Sequence, residues 1–87
     1  MLGVVFIMIY VEVIFWSNDI KDIDIVLPQA PRIGENIEFP YGVVKYNNGV
    51  ELEDRTFRIK DIDWVFEENS MIPKYKFKKL SVYVERP

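Results

Sequence analysis

At 87 residues the chain holds a single domain, and with 49% hydrophobic and 15% aromatic residues it can bury a core instead of staying disordered. It contains no cysteine and no histidine, which excludes disulfide staples, thiolate or imidazole metal sites and the usual nucleophile–base pairs. A formal charge of −3 and a pI near 4.9 speak against a general nucleic-acid or membrane-surface binder, and a cytoplasmic location is expected.

Residues 1–16 are apolar apart from Glu12. The run is shorter than the roughly 20 residues a spanning helix needs, and it lacks the basic start and small-residue cleavage site of a signal peptide. No membrane association is therefore expected. Met8 reads as a natural start, with residues 1–7 an extension from an upstream start codon. From there Val11, Val13 and Phe15 alternate with Tyr10, Glu12, Ile14 and Trp16, the period of a strand, and Glu12 assigns the second set to the outer face.

Ile23, Ile25 and Leu27 alternate with Asp22, Asp24 and Val26, a second strand that stops at Pro28. Pro28 and Pro31 bracket an extended link, because residues before proline avoid the helical region. Gly34 supplies a turn before Glu35–Phe39, where Ile37 and Phe39 share a face. Next comes a hairpin through Asn47-Asn48-Gly49. A three-residue loop with Gly49 left-handed sets Tyr46 opposite Val50, Lys45 opposite Glu51 and Val44 opposite Leu52, so apolar meets apolar and opposite charges meet. A two-residue turn would set Tyr46 against Glu51 instead, and the longer loop is expected.

Arg55–Phe66 is the longest strand signal. Phe57 and Ile59 have one parity while Ile62, Trp64 and Phe66 have the other, so one extra residue near Lys60-Asp61 is expected to bring all of them to the core side. Tyr75 and Phe77 slip in the same way against Leu80, Val82 and Val84, which predicts a second irregularity near Lys78-Lys79. Any helix is confined to a short turn around Glu67–Met71. The expected architecture is all-β: five or six short, strongly bent strands curled into a small barrel over the single domain 1–87. Its core would hold Val11, Val13, Phe15, Ile23, Ile25, Ile37, Phe39, Phe57, Ile59, Ile62, Trp64, Phe66, Leu80, Val82 and Val84. The pentapeptide Ile20–Asp24 recurs as Ile59–Asp63, but the flanks differ, and chance recurrence in an Ile-, Lys- and Asp-rich chain explains it better than a duplicated half-barrel.

The pattern Leu27-Pro28-x-x-Pro31-Arg32-Ile33-Gly34-Glu35-x-Ile37, followed by Phe57-x-Ile59-x-x-Ile62-x-Trp64 and Val82-x-Val84, resembles short bacterial and phage proteins expected to form SH3-like β-barrels. The resemblance spans about residues 10–85 and implies a fold without carrying a function. The acidic-aromatic groove signature of signalling SH3 domains is not found, so binding of proline-rich peptides does not follow.

Four constellations bear on function. Ser17, Thr56, Ser70 and Ser81 have no histidine to activate them, and paired carboxylates would need a sugar-sized cleft that a small barrel does not offer, so no catalytic residues and no cofactor are assigned. Asp22 with Asp24, and Asp61 with Asp63, place carboxylates about 7 Å apart on a strand face. They read as solvated outer residues and no metal site is assigned. Charge is uneven: residues 1–68 sum to −7 and residues 69–87 to +4. In the basic end, Lys74, Lys76, Lys78 and Lys79 interleave with Tyr75 and Phe77, the chemistry of a single-stranded nucleic-acid grip, although alternation would turn the rings toward the core. Tyr10, Ile14 and Trp16 form an apolar set on the outer face, and exposed rings of this kind mark partner sites. The leading reading is a non-enzymatic protein-interaction or adaptor module of phage type, docking a protein partner or another copy through that set. Nucleic-acid binding by the four lysines stands second. An acidic phage-encoded inhibitor stands third, since −7 is modest for imitating DNA.

Overall fold

A computed structural model describes residues 8–87, and the extension assigned to residues 1–7 lies outside them. The described residues form five strands: β1 (Ile9–Ile14), β2 (Ile23–Leu27), β3 (Asn36–Glu38), β4 (Thr56–Glu68) and β5 (Tyr75–Glu85). They make one mixed sheet in the order β2-β1-β5-β4-β3. β1 and β5 run parallel, and every other neighbouring pair is antiparallel. The sheet curls into a half-barrel whose edge strands, β2 and β3, stay beyond pairing distance of one another. Between them lies an apolar cleft of ≈ 250 Å³ lined by Ile25, Leu27, Ala30, Ile37 and Ile59. No helix among the described residues is long and apolar enough to cross a membrane. The short helix expected at Glu67–Met71 is absent: β4 continues through Glu68, and the Asn69 N–H closes the turn by donating to the Lys74 carbonyl at 2.6 Å.

The curl has a local cause. β4 pairs Ile59 with Val84 and then Asp61 with Tyr83, so Lys60 is the extra residue the parity change predicts. On β5 the ladder steps from Val65↔Lys79 to Phe66↔Phe77, which leaves Lys78 unpaired. Each bulge bends its strand and tightens the right-handed twist while keeping the apolar residues on the inner face. The Asn47–Gly49 hairpin also has the expected register. Gly49 adopts φ 90°, Lys45 bridges Glu51, and the Leu52 N–H donates to the Val44 carbonyl at 3.0 Å.

The inner face is covered unevenly. Toward the C-terminal ends of β1 and β5, the chain from Phe39 to Leu52 folds over it. Phe39, Val44, Leu52 and Ile20 are buried there with Val11, Val13, Phe15, Phe57, Ile59, Leu80, Val82 and Val84. Backbone bonds hold this cover down, from the Lys21 N–H to the Lys45 carbonyl and from the Asn47 N–H to the Asp19 carbonyl, at 2.9 and 2.8 Å. Ile23, Ile25, Ile37 and Ile62, assigned to the core, pack against it only half-buried. Toward the β4–β5 turn no described segment faces the sheet, and Trp64 and Phe66, assigned to the core from their parity, are 57% and 58% exposed. They stand on the inner side as expected, but no described segment crosses over them. The two copies of the repeated pentapeptide occupy unlike places: Ile20–Asp24 leads from a loop into β2, and Ile59–Asp63 spans the β4 bulge.

Candidate interaction surface

β4 and β5, at 13 and 11 residues, are about twice as long as β1 and β2, at 6 and 5. Their surplus length has to leave the sheet. β1 meets β5 only from Leu80 onward, and β3 meets β4 only up to Arg58. Beyond those points the hairpin continues as a two-stranded arm, residues 65–79, with an open edge on each side among the described residues, and Trp64 stands at its root opposite Leu80. An isolated two-stranded ribbon is marginal in water and gains stability from whatever covers its apolar face.

The inner face of the arm carries rings from both strands. Phe77 packs against Trp64 at 5.5 Å between centroids and against Phe66 at 6.1 Å, the second pair nearly perpendicular at 75°. Tyr75, paired with Glu68 one step further out, is more than half exposed on the same face. At the tip Met71 and Ile72 are also bare. Five exposed large apolar side chains, Trp64, Phe66, Met71, Ile72 and Tyr75, thus lie on the hairpin, and none of its aromatic members was marked as a protein-partner site in the sequence, because parity alone put Trp64 and Phe66 inside. The readable signal was the mismatch in strand lengths.

The residues assigned to partner binding do not come together. Tyr10 and Ile14 lie on the outer face of β1 but about 13 Å apart along the strand, with Glu12 between them held by Lys79 at 3.2 Å. Trp16 lies past the end of β1. Its ring packs edge-on to Phe15 at 6.1 Å, sits 5.8 Å from Phe57 and lies under the Arg86 guanidinium at 5.0 Å, so it caps the covered end of the core. Only Ile14 and Trp16 meet, in a small hollow with Tyr83.

The four lysines also divide. Lys76 pairs with Glu67 at 3.3 Å and Lys79 with Glu12, both on the outer face. Lys78 is the bulge residue and Lys74 lies 5.4 Å from the Tyr75 ring, each without a carboxylate partner among the described residues.

The outer face of the sheet is acidic. Glu12 is paired across β1 and β2 with Asp24, and Asp61 and Asp63 stand across β4 and β5 from Tyr83 and Ser81. No three of these carboxylates converge on a point that could hold a metal ion. Desolvation and then the neighbouring Asp63 carboxylate hold the Tyr83 phenol protonated, above its ordinary value. Partial desolvation, helped by Glu12 and Asp24 and opposed by Lys79, raises Asp22. A raised carboxyl costs the fold nothing below its unfolded value near 3.8, and the penalty grows as pH climbs through the native value. Asp22→Asn is therefore expected to lift the thermal midpoint at pH 7 by about 1–3 °C, a small gain because the site is open to water. The gain should vanish at pH 3, and scanning calorimetry at both pH values reads it directly.

Comparison of the chain with protein families, curated proteins and solved structures finds no match.

Proposed function

We propose that this chain is a non-catalytic, SH3-like binding module of the cytoplasm that docks on another protein through the inner face and open edges of the β4–β5 arm. The observation that carries the reading is the set of exposed rings Trp64, Phe66 and Tyr75 around the partly buried Phe77, on a β4–β5 hairpin that runs on past the last residues paired with β1 and β3. Aromatic side chains bring large contact area at low entropic cost and serve as anchors at interfaces. Open strand edges add main-chain bonds for an extended partner. The five bent strands, the two bulges and the Pro28–Gly34 link support the SH3-like assignment. The surface moves from Tyr10, Ile14 and Trp16 to the arm because the arm is where the exposed rings meet one another.

A second reading draws on one observation. Tyr75 is exposed beside Lys74, and Lys78 is free of any described carboxylate, so rings and cations share the arm as they do on single-stranded nucleic-acid platforms. One experiment separates the two. A photo-crosslinking phenylalanine analogue is placed at Phe66, or at Tyr41 as an exposed control away from the arm, and the protein is irradiated in its own cells. The expected result is protein adducts at position 66 well above those at 41. Nucleic-acid adducts at 66 would support the second reading, and equal labelling at both positions would overturn both.

A further inference from the structure

We infer that the arm docks on a second copy of this chain, the free edge of β5 at Tyr75–Lys79 pairing with the free edge of β2 at Ile23–Leu27. The inference rests on the arm being the docking surface and names its partner. β2 is an edge strand bonded only to β1, and β5 below Leu80 is bonded only to β4 among the described residues. Each edge is a row of backbone groups awaiting a neighbour. Within one chain they cannot meet, since β1 lies between β2 and β5 and the free edge of β2 faces away.

The two edges carry matching patterns. On β5, Tyr75 and Phe77 face inward while Lys76, and Lys74 one step beyond, face outward. On β2, Ile23, Ile25 and Leu27 face inward while Asp22 and Asp24 face outward. Joined in parallel with their faces aligned, Lys74 level with Asp22 and Lys76 with Asp24, the edges set Tyr75 beside Ile23 and Phe77 beside Ile25 at the mouth of the ≈ 250 Å³ cleft. On the opposite side they set lysines beside aspartates. A slip of one residue would put lysine against isoleucine, so the period-two pattern selects the register. A face-to-face pairing of two arms, by contrast, would bring Lys74 and Lys78 near their own copies. Reciprocal exchange about a two-fold axis, arm to β2 and β2 to arm, closes the assembly as a dimer.

The test is charge complementation in the full chain, read by sedimentation velocity with circular dichroism as a check on folding. Variant one is Lys74→Glu with Lys76→Glu, and variant two is Asp22→Lys with Asp24→Lys. Wild type is expected to be a dimer. Each variant alone should dimerise at least about tenfold more weakly, because like charges then face one another at both contacts. An equimolar mixture should regain the dimer, since each arm of the mixed pair meets an oppositely charged β2. A full chain that is monomeric at about 1 mM, well above the concentrations that populate weak dimers, overturns the inference. It leaves the arm open to a different protein or to the chain's own residues 1–7. A dimer kept by both charge variants but lost in Trp64→Asp overturns the β2 contact and retains the arm. A dimer that none of the three variants disturbs overturns both.

Discussion

Phe57→Ala is expected to remove most of the protein's stability, about 3–5 kcal/mol. A chain of this size has about 4–13 kcal/mol to lose. Phe57 has no exposed surface, and three other rings meet it. Phe15 lies at 5.1 Å and nearly perpendicular at 82°, Trp16 at 5.8 Å and Phe39 at 6.2 Å. Those four rings join the end of β1, the start of β4 and the segment that covers the inner face. Truncation therefore opens a cavity at the point where the cover is attached, leaving buried Val44 and Leu52 and the backbone bonds around Lys21 and Asn47 to hold the cover. Phe57→Leu keeps most of the volume and should cost under about 1.5 kcal/mol. Urea unfolding reads both variants as a shift of the midpoint at unchanged slope. A shift of less than about 1 kcal/mol for Phe57→Ala would mean that the aromatic cluster does not hold the cover in place.

What the sequence made legible was local and periodic. A two-residue repeat specifies which side chains share a face, and a break in parity specifies where an extra residue sits, so irregularities could be placed near Lys60-Asp61 and Lys78-Lys79 without knowing the partner strands, and the ladder resolves them to Lys60 and Lys78. The Asn47–Gly49 loop was legible for the same reason, since only one loop length matches Lys45 with Glu51. Periodicity does not report which face receives a covering layer, or how far that layer extends. Ile20, Val44 and Leu52 are buried but lie outside regular strands, held by a bridge or a single hairpin bond, and their burial depends on contacts distant in sequence. The parallel pairing of β1 with β5 is likewise a long-range choice, joining Val11 to Leu80 across most of the chain. The set Tyr10, Ile14 and Trp16 failed to assemble because β1 ends at Ile14, and parity has no meaning once the strand has stopped.

The sharpest consequence of uneven cover concerns two residues that face each other across the same ladder, Leu80 and Trp64. Leu80 lies on the central strand with Val11 on one side and Trp64 on the other, and it has no exposed surface. Leu80→Ala is expected to cost about 2–5 kcal/mol, the transfer term for a buried isobutyl group plus the void it leaves. Trp64 is the larger side chain, yet more than half of its surface already meets water. Its truncation leaves no enclosed void, only the loss of one ring contact with Phe77 at 5.5 Å and of partial burial. Trp64→Ala in the monomer should therefore cost only about 1 kcal/mol. Parity alone predicts the opposite order, since a core tryptophan would exceed a core leucine. Urea midpoints of the two variants, taken at a concentration low enough to keep both monomeric, decide between them. A loss for Trp64→Ala equal to or greater than that for Leu80→Ala would show that a layer does lie over the arm, and the exposed rings would then cease to be a docking surface.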